Sequence, residues 1–315
     1  MSEEEQTTPA EEAAAETPSN DELVRIDEFE AEGPLELEVG VTIGRVHVVL
    51  EGDSGARVEL RHDQGEQQPW VAGVNSLLSW VGERFGDQLG VDPSGANPAE
   101  AVHQSRIEKL GNRLVVQAPK AWQLRNVAIA VTVRAPAGSN LEVRAGAAEV
   151  TVTGSAGRVD VLTGSGDVKV DRAEGAATIR TGSGAVKLGP TLGGLQLRSG
   201  SGDVEASSIA GSATLATGTS DVWLGAVSGE VMARTGSGDL SVADAASGTL
   251  DLITGSGEIR VGIRGGTAAE VDLTSSAGRV SSELDVAETA PEGGVKLKVR
   301  ARTGSGNAVV TRAAG

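Results

Sequence analysis

Apolar residues in this chain fall into columns that recur about every eighteen residues. Val168, Val186, Val204, Val222, Leu240 and Ile259 occupy one place in successive units, and Val170, Leu188, Ala206, Leu224, Val242 and Val261 follow two residues later. On the return leg Ala177, Leu195, Ala213, Val231 and Leu250 form a third column, and Ile179, Leu197, Leu215, Ala233 and Leu252 a fourth. Within a leg these residues alternate with polar ones, as in Val168-Lys169-Val170-Asp171, the pattern of a strand with one buried face. So short a strand cannot bury that face alone. Stacking on its neighbours makes a continuous core.

A recurring turn separates the legs. Thr-Gly-Ser-Gly-Asp-Val is first complete at Thr163, and returns as TGSGAV from Thr181, SGSGDV from Ser199, TGTSDV from Thr217, TGSGDL from Thr235 and TGSGEI from Thr254. Looser copies are TSSAGRV from Thr274 and TGSGNA from Thr303, the latter after a 29-residue step. A fixed period in this range marks a stacked repeat architecture. Candidate structural turn residues are Thr163, Gly164, Gly166, Gly182, Gly184, Gly200, Gly202, Gly236, Gly238, Gly255 and Gly257. Both glycines of each turn are expected to take positive φ, and the Thr/Ser and Asp side chains to cap the bent backbone.

The predicted fold is all-β: a single-stranded β-solenoid with coils of about 18 residues, right-handed in preference to left-handed. It carries a small helical insertion. Residues 1–22 are expected to be a disordered acidic tail, 23–63 first irregular coils, 64–113 the helical insertion and 114–315 the solenoid repeat region. Strand patterning is clear in Leu35–Val39, Val46–Leu50 and Val58–Leu60. Within the insertion, Trp70, Val74, Leu77, Leu78, Val81, Phe85 and Leu89 form a helical apolar stripe. Asn97-Pro98-Ala99-Glu100 then reads as a helix start, for a short helix ended by Gly111. Ala287 to Gly294 is expected to loop out before a terminal coil ending near Val310.

Val131-Thr132-Val133-Arg134-Ala135-Pro136-Ala137-Gly138 leads into Leu141-Glu142-Val143 and then into the reiterated Thr-Gly-Ser-Gly-Asp-Val. In these motifs the chain resembles the bacterial putative-adhesin β-strand-repeat family, a domain of unknown function also described as the toastrack domain. The likeness runs from about Leu23 to Gly315. The resemblance implies a right-handed β-helix-like stack and a non-enzymatic interaction role, linked with bacterial envelope-stress signalling. It carries over no catalytic residues.

Charge narrows the partners. Net charge is −17, and residues 1–22 hold eight acidic side chains and no Lys or Arg. An acidic surface repels phosphate backbones, so nucleic acid is not an expected partner. No basic secretory leader and no apolar run of membrane-spanning length occur, so no integral membrane segment is expected. Cysteine is absent, which excludes a disulfide framework and fits a cytoplasmic location.

Chemistry is sparse. The turn sequence resembles part of a calcium β-roll repeat, but the period is twice that of a β-roll and Ala185 interrupts the acidic position. A phosphate loop needs a following helix and a GKS or GKT sequence, and neither is present. His47, His62 and His103 show no metal-ligand spacing. Neither a cofactor nor a metal is expected. A polysaccharide lyase or hydrolase would need carboxylates on neighbouring coils, for which Asp251 and Asp272 are the candidates. The expected role is a scaffold or protein-interaction module, with possible self-association; the alternative is a surface adhesin or glycan-binding protein. Candidate interface residues are Trp223, which the alternation turns outward, and Trp70, Leu77 and Trp80 of the insertion.

Overall fold

The computed structural model describes residues 23–63, 97–121, 123–284 and 294–314. The acidic stretch 1–22, the apolar stripe with Trp70, Leu77 and Trp80, and the expected loop from Ala287, save Gly294, lie outside them.

Each regular coil has two strands. The leading leg runs into the Thr-Gly-Ser-Gly turn and the trailing leg runs out of it. β8 (Val159–Ser165), β10 (Ala177–Ser183), β12 (Leu195–Ser201) and β14 (Ala213–Thr219) stack in parallel as leading legs. β9 (Val168–Ala173), β11 (Val186–Thr191) and β13 (Val204–Ile209) stack likewise as trailing legs. β15 (Val222–Ser237) and β16 (Leu240–Ser256) each pass round a corner and serve both legs. The register is the one the sequence columns demand: Val168 pairs with Val186, Val204 with Val222, Ile179 with Leu197. All four columns are buried. Burying a Val, Leu or Ile side chain contributes about 1.5–3 kcal/mol, which the neighbouring coil makes available.

At both ends, chain order and stacking order part. β2 (Glu36–Leu50) is a coil of the stack, yet it lies between β5 (Arg113–Gln117) and β6 (Ile129–Ala135) on one side and β7 (Asn140–Ala156) on the other. It is therefore not an irregular first coil. The rest of 23–63 is antiparallel: β3 (Ala56–His62) pairs with β6, and β1 (Val24–Phe29) pairs with β3. At the far end, β20 (Leu297–Ser305) and β21 (Ala308–Arg312) insert between β16–β17 (Ile259–Ile263) and β18 (Ala269–Ala277) with β19 (Val280–Ser282). The C-terminal coil is one layer in, and the outermost coil is 269–282. Val280 there is exposed and Val271 and Leu273 are half-buried.

The helix expected to start at Asn97 is shorter than predicted. α1 (Pro98–Gln104) has Asn97 as its N-cap, its Oδ1 accepting from Ala99 N at 3.0 Å. It ends at Ser105, not Gly111. Arg106–Leu110 is strand β4, antiparallel to β5 through a turn at Gly111. Ile107-Glu108-Lys109-Leu110 finds a partner in the edge of β5, and pairing there overrides local helix propensity. Gly111 takes φ +62° and serves the hairpin rather than a helix end.

Candidate functional site

Three features present side chains in repeating positions: the turn ladder and the outward faces of the two legs.

In the turn the opening Thr or Ser points inward and is buried. Thr163, Thr181, Ser199, Thr235 and Thr254 each donate their hydroxyl to the carbonyl two residues on, at 2.8–3.1 Å. Near the C-terminus, Ser275 rather than Thr274 holds this place, since Ser275 pairs with Thr303.

At both glycines the coil below leaves no room for a Cβ, and the two differ in their dihedrals. Only the second, at Gly166, Gly184, Gly202, Gly238 and Gly257, has positive φ, between 100° and 142°. The first, at Gly164, Gly182, Gly200, Gly236 and Gly255, does not, which corrects the expectation that both would. A Cβ on Gly200 would lie 2.4 Å from the carbonyl oxygen of Gly182 in the coil below. Close stacking excludes a side chain there, whatever the dihedral.

The acidic position makes a second ladder. The Asp167 carboxylate accepts from the backbone N–H of Ala185 at 2.8 Å, Asp203 from Asp221 at 3.3 Å, Asp221 from Asp239 at 2.8 Å, and Asp239 from Glu258 at 2.7 Å. Each side chain thus caps the same residue one coil on. The 18-residue recurrence of Asp was the sequence signal for this, although the bond's direction needed the register. The carboxylates are engaged with amides, and among the described residues no cluster of three or more metal-ligating side chains occurs.

Trp223 sits on the trailing leg between Glu205 and Ser241, and 43% of it is exposed. Its ring lies along its own strand, with Cη2 3.2 Å from where a Cβ of Gly225 would be. Lys169, Lys187, Glu205, Trp223, Ser241 and Arg260 share this outward column. Asp251 and Asp272 are not neighbours: the stack places Arg300 between them. His47, His62 and His103 lie on β2, β3 and α1; His47 Nε2 is 3.2 Å from Thr153 Oγ1.

Shifted titrations belong to surface ion pairs. A hydrogen bond from the Arg113 guanidinium holds the Glu38 carboxyl below the usual carboxylate range, and Arg172 does the same for Glu174. None of these groups lies in the turns.

Two-strand parallel coils closed by a Thr-Gly-Ser-Gly corner define an all-β solenoid of repeating coils. Within that class the chain belongs to the Toastrack family, DUF4097, whose family model matches residues 86–311. The coil 36–50 precedes the matched span, although it lies inside the stack. Among solved structures the chain is similar to a putative adhesin from Bacteroides fragilis, at 12% identity and TM-score 0.37, over 91% of this chain and 97% of that one. It is also similar to a putative adhesin from Parabacteroides merdae, at 10% identity and TM-score 0.31, over 91% of this chain and 95% of that one. No curated protein sequence matches it. No helix of the described residues is long and apolar enough to cross a membrane.

Proposed function

We propose that the chain is a non-enzymatic scaffold, a right-handed solenoid whose outward faces bind protein partners in the cytoplasm of a bacterium, within an envelope-stress system. The observation that carries this reading is Trp223. Thr163, Thr181, Ser199, Thr235 and Thr254 spend their hydroxyls on carbonyls of their own turns, and Asp167, Asp203, Asp221 and Asp239 their carboxylates on amides of the next coil, whereas this ring stands on an outer face with no packing duty to the core. A half-exposed Trp on a strand surface is a natural interface anchor, and truncating such anchors commonly costs about 2 kcal/mol or more of binding. The separation of Asp251 from Asp272 by Arg300 speaks against a carboxylate pair for glycan cleavage.

The test is Trp223→Ala. Its melting temperature should match the parent, while a partner recovered by cross-linking in the source bacterium, or self-association measured by sedimentation, should weaken by roughly thirtyfold. If the variant unfolds, the ring is structural. Fold and association both left intact would remove this face as the interface. Recovery of the chain on the outer surface of the cell would favour the adhesin reading instead.

A further inference from the structure

The leading legs carry an arginine column. Parallel register places Arg144, Leu162, Arg180, Arg198, Ala216, Arg234, Ile253 and Arg302 on successive rungs of one outward face. Rungs are about 4.8 Å apart. Several arginines on this surface are matched with carboxylates: Arg25 with Asp27, Arg57 with Glu28, Arg113 with Glu38, Arg260 with Glu258, Arg264 with Asp244. Arg180, Arg198, Arg234 and Arg302 have no such partner among the described residues. Arg180 and Arg198 are directly opposite one another, and like charges so placed destabilise a sheet. In a protein of net charge −17 these four guanidiniums stand without counter-charges among the described residues, whereas Arg144 at the head of the column is paired with Glu142.

The column has a concave head. Beyond Arg144 and Leu162 it opens into a groove of about 460 Å³, whose basic residues are Lys120, Arg125 and Arg144 and whose lining contains no carboxylate among the described residues. Apolar side chains interrupt the charges: Leu162 is 45% exposed on its rung, and Met232, two residues before Arg234, stands exposed between Thr214 and Asp251.

We propose that this face binds an extended acidic polypeptide segment of a partner protein. Carboxylates at intervals would lie between the guanidiniums, and small or apolar side chains would meet Leu162, Ala216, Met232 and Ile253. A phosphate polymer matches the arginines but offers nothing to those apolar rungs, and its continuation would meet the acidic remainder of the surface. Seven rung steps span about 34 Å, the length of about ten extended residues. The inference rests on the reading that outward faces bind protein. It uses the leg that does not carry Trp223, so each face can fail without the other.

The test uses the full chain and a fluorescent peptide of about twelve residues, with Glu alternating with Ala and Leu. At low salt it should bind, weakening as salt rises. Arg180→Glu/Arg198→Glu should weaken it by roughly tenfold or more, and Arg180→Gln/Arg198→Gln by less. Lys169→Glu/Lys187→Glu makes the same charge change in the Trp223 column and should leave binding within about twofold. All four sites are outward, so melting temperatures confirm the folds, and Trp223→Ala should bind the peptide like the parent. Absence of binding, or equal loss in both charge-reversed variants, overturns the proposal. So does tighter binding of a polyphosphate of equal charge. A tenfold gain on removing residues 1–22 also overturns it, assigning the face to the chain's own acidic stretch.

Discussion

Two neighbouring turns, Thr217–Asp221 and Thr235–Asp239, differ in two residues, and the difference shows what each position is for. In the later turn Gly238 sits at φ +129°, and Thr235 donates to Ser237 O at 2.9 Å. In the earlier turn Ser220 replaces the glycine, and no residue other than glycine has positive φ among the described residues. The corner there takes another path. Its consequence is local: the hydroxyls of Thr217 and Ser220 are buried without a hydrogen-bond partner. The coil still stacks, because Thr219 pairs with Ser237 and Val222 with Leu240 as the repeat demands. Glycine at the second position therefore lets the buried hydroxyl be satisfied; the apolar columns are what hold the coil in place.

The largest effect should come from forcing a side chain onto the regular corner. A Cβ at Gly238 would lie 2.1 Å from Ser220 O, at a dihedral β-branched residues avoid. Gly238→Val should cost at least about 2 kcal/mol by denaturant titration, whereas Ser220→Ala should cost nothing measurable. Equal losses would erase the distinction between the turns.

A smaller contrast concerns the hydroxyls. Thr235→Val removes a made hydrogen bond and should destabilise by about 1 kcal/mol. Thr217→Val removes a buried hydroxyl that bonds to nothing and should raise the melting temperature. A fall of similar size in both variants would mean that the irregular turn satisfies its hydroxyl after all.

The smallest effect tests the acidic ladder at its gap. Ala185 supplies no acceptor to the amide of Asp203, whereas Asn140 accepts from Arg158 N at 2.6 Å and Asn307 from Arg279 N at 3.1 Å in the same manner near the ends. Ala185→Asn restores the acceptor without adding charge, and should stabilise by about 0.5–1 kcal/mol. No gain would show that the side-chain rungs contribute nothing beyond what the backbone ladder already holds.

Much of this fold was legible because the repeat writes its register into the sequence. Val168, Val186 and Val204 could pair only one way without turning a column outward. The solenoid's middle and its outward Trp223 followed from that. The two reasons for glycine did not, since a residue letter cannot tell Gly202, which combines a positive φ with a close approach, from Gly200, which has the close approach alone. The end layers were hidden for a deeper reason. Every coil presents the same kind of edge, so TGSGNA from Thr303 matches the turn at Thr254 as well as TSSAG does. The arginine column was only half visible: Arg180 beside Arg198 was readable, but its continuation to Arg302 depends on a coil whose place the sequence left open.

The tucked C-terminal coil also imposes a schedule. Synthesis delivers 269–282 before 297–312, yet the later segment must occupy the rung beneath the earlier one. A stack growing in step with the ribosome would seat 269–282 directly on β16–β17, on an edge of closely similar shape. Folding must therefore leave that edge vacant, or vacate it, until the last residues emerge. The same inversion holds at the start, where 36–50 waits for both 113–135 and 140–156. Such long-range closures are the slow steps of β-rich folding. The regular middle can form early, and both ends close late, each locking a segment made before its neighbour.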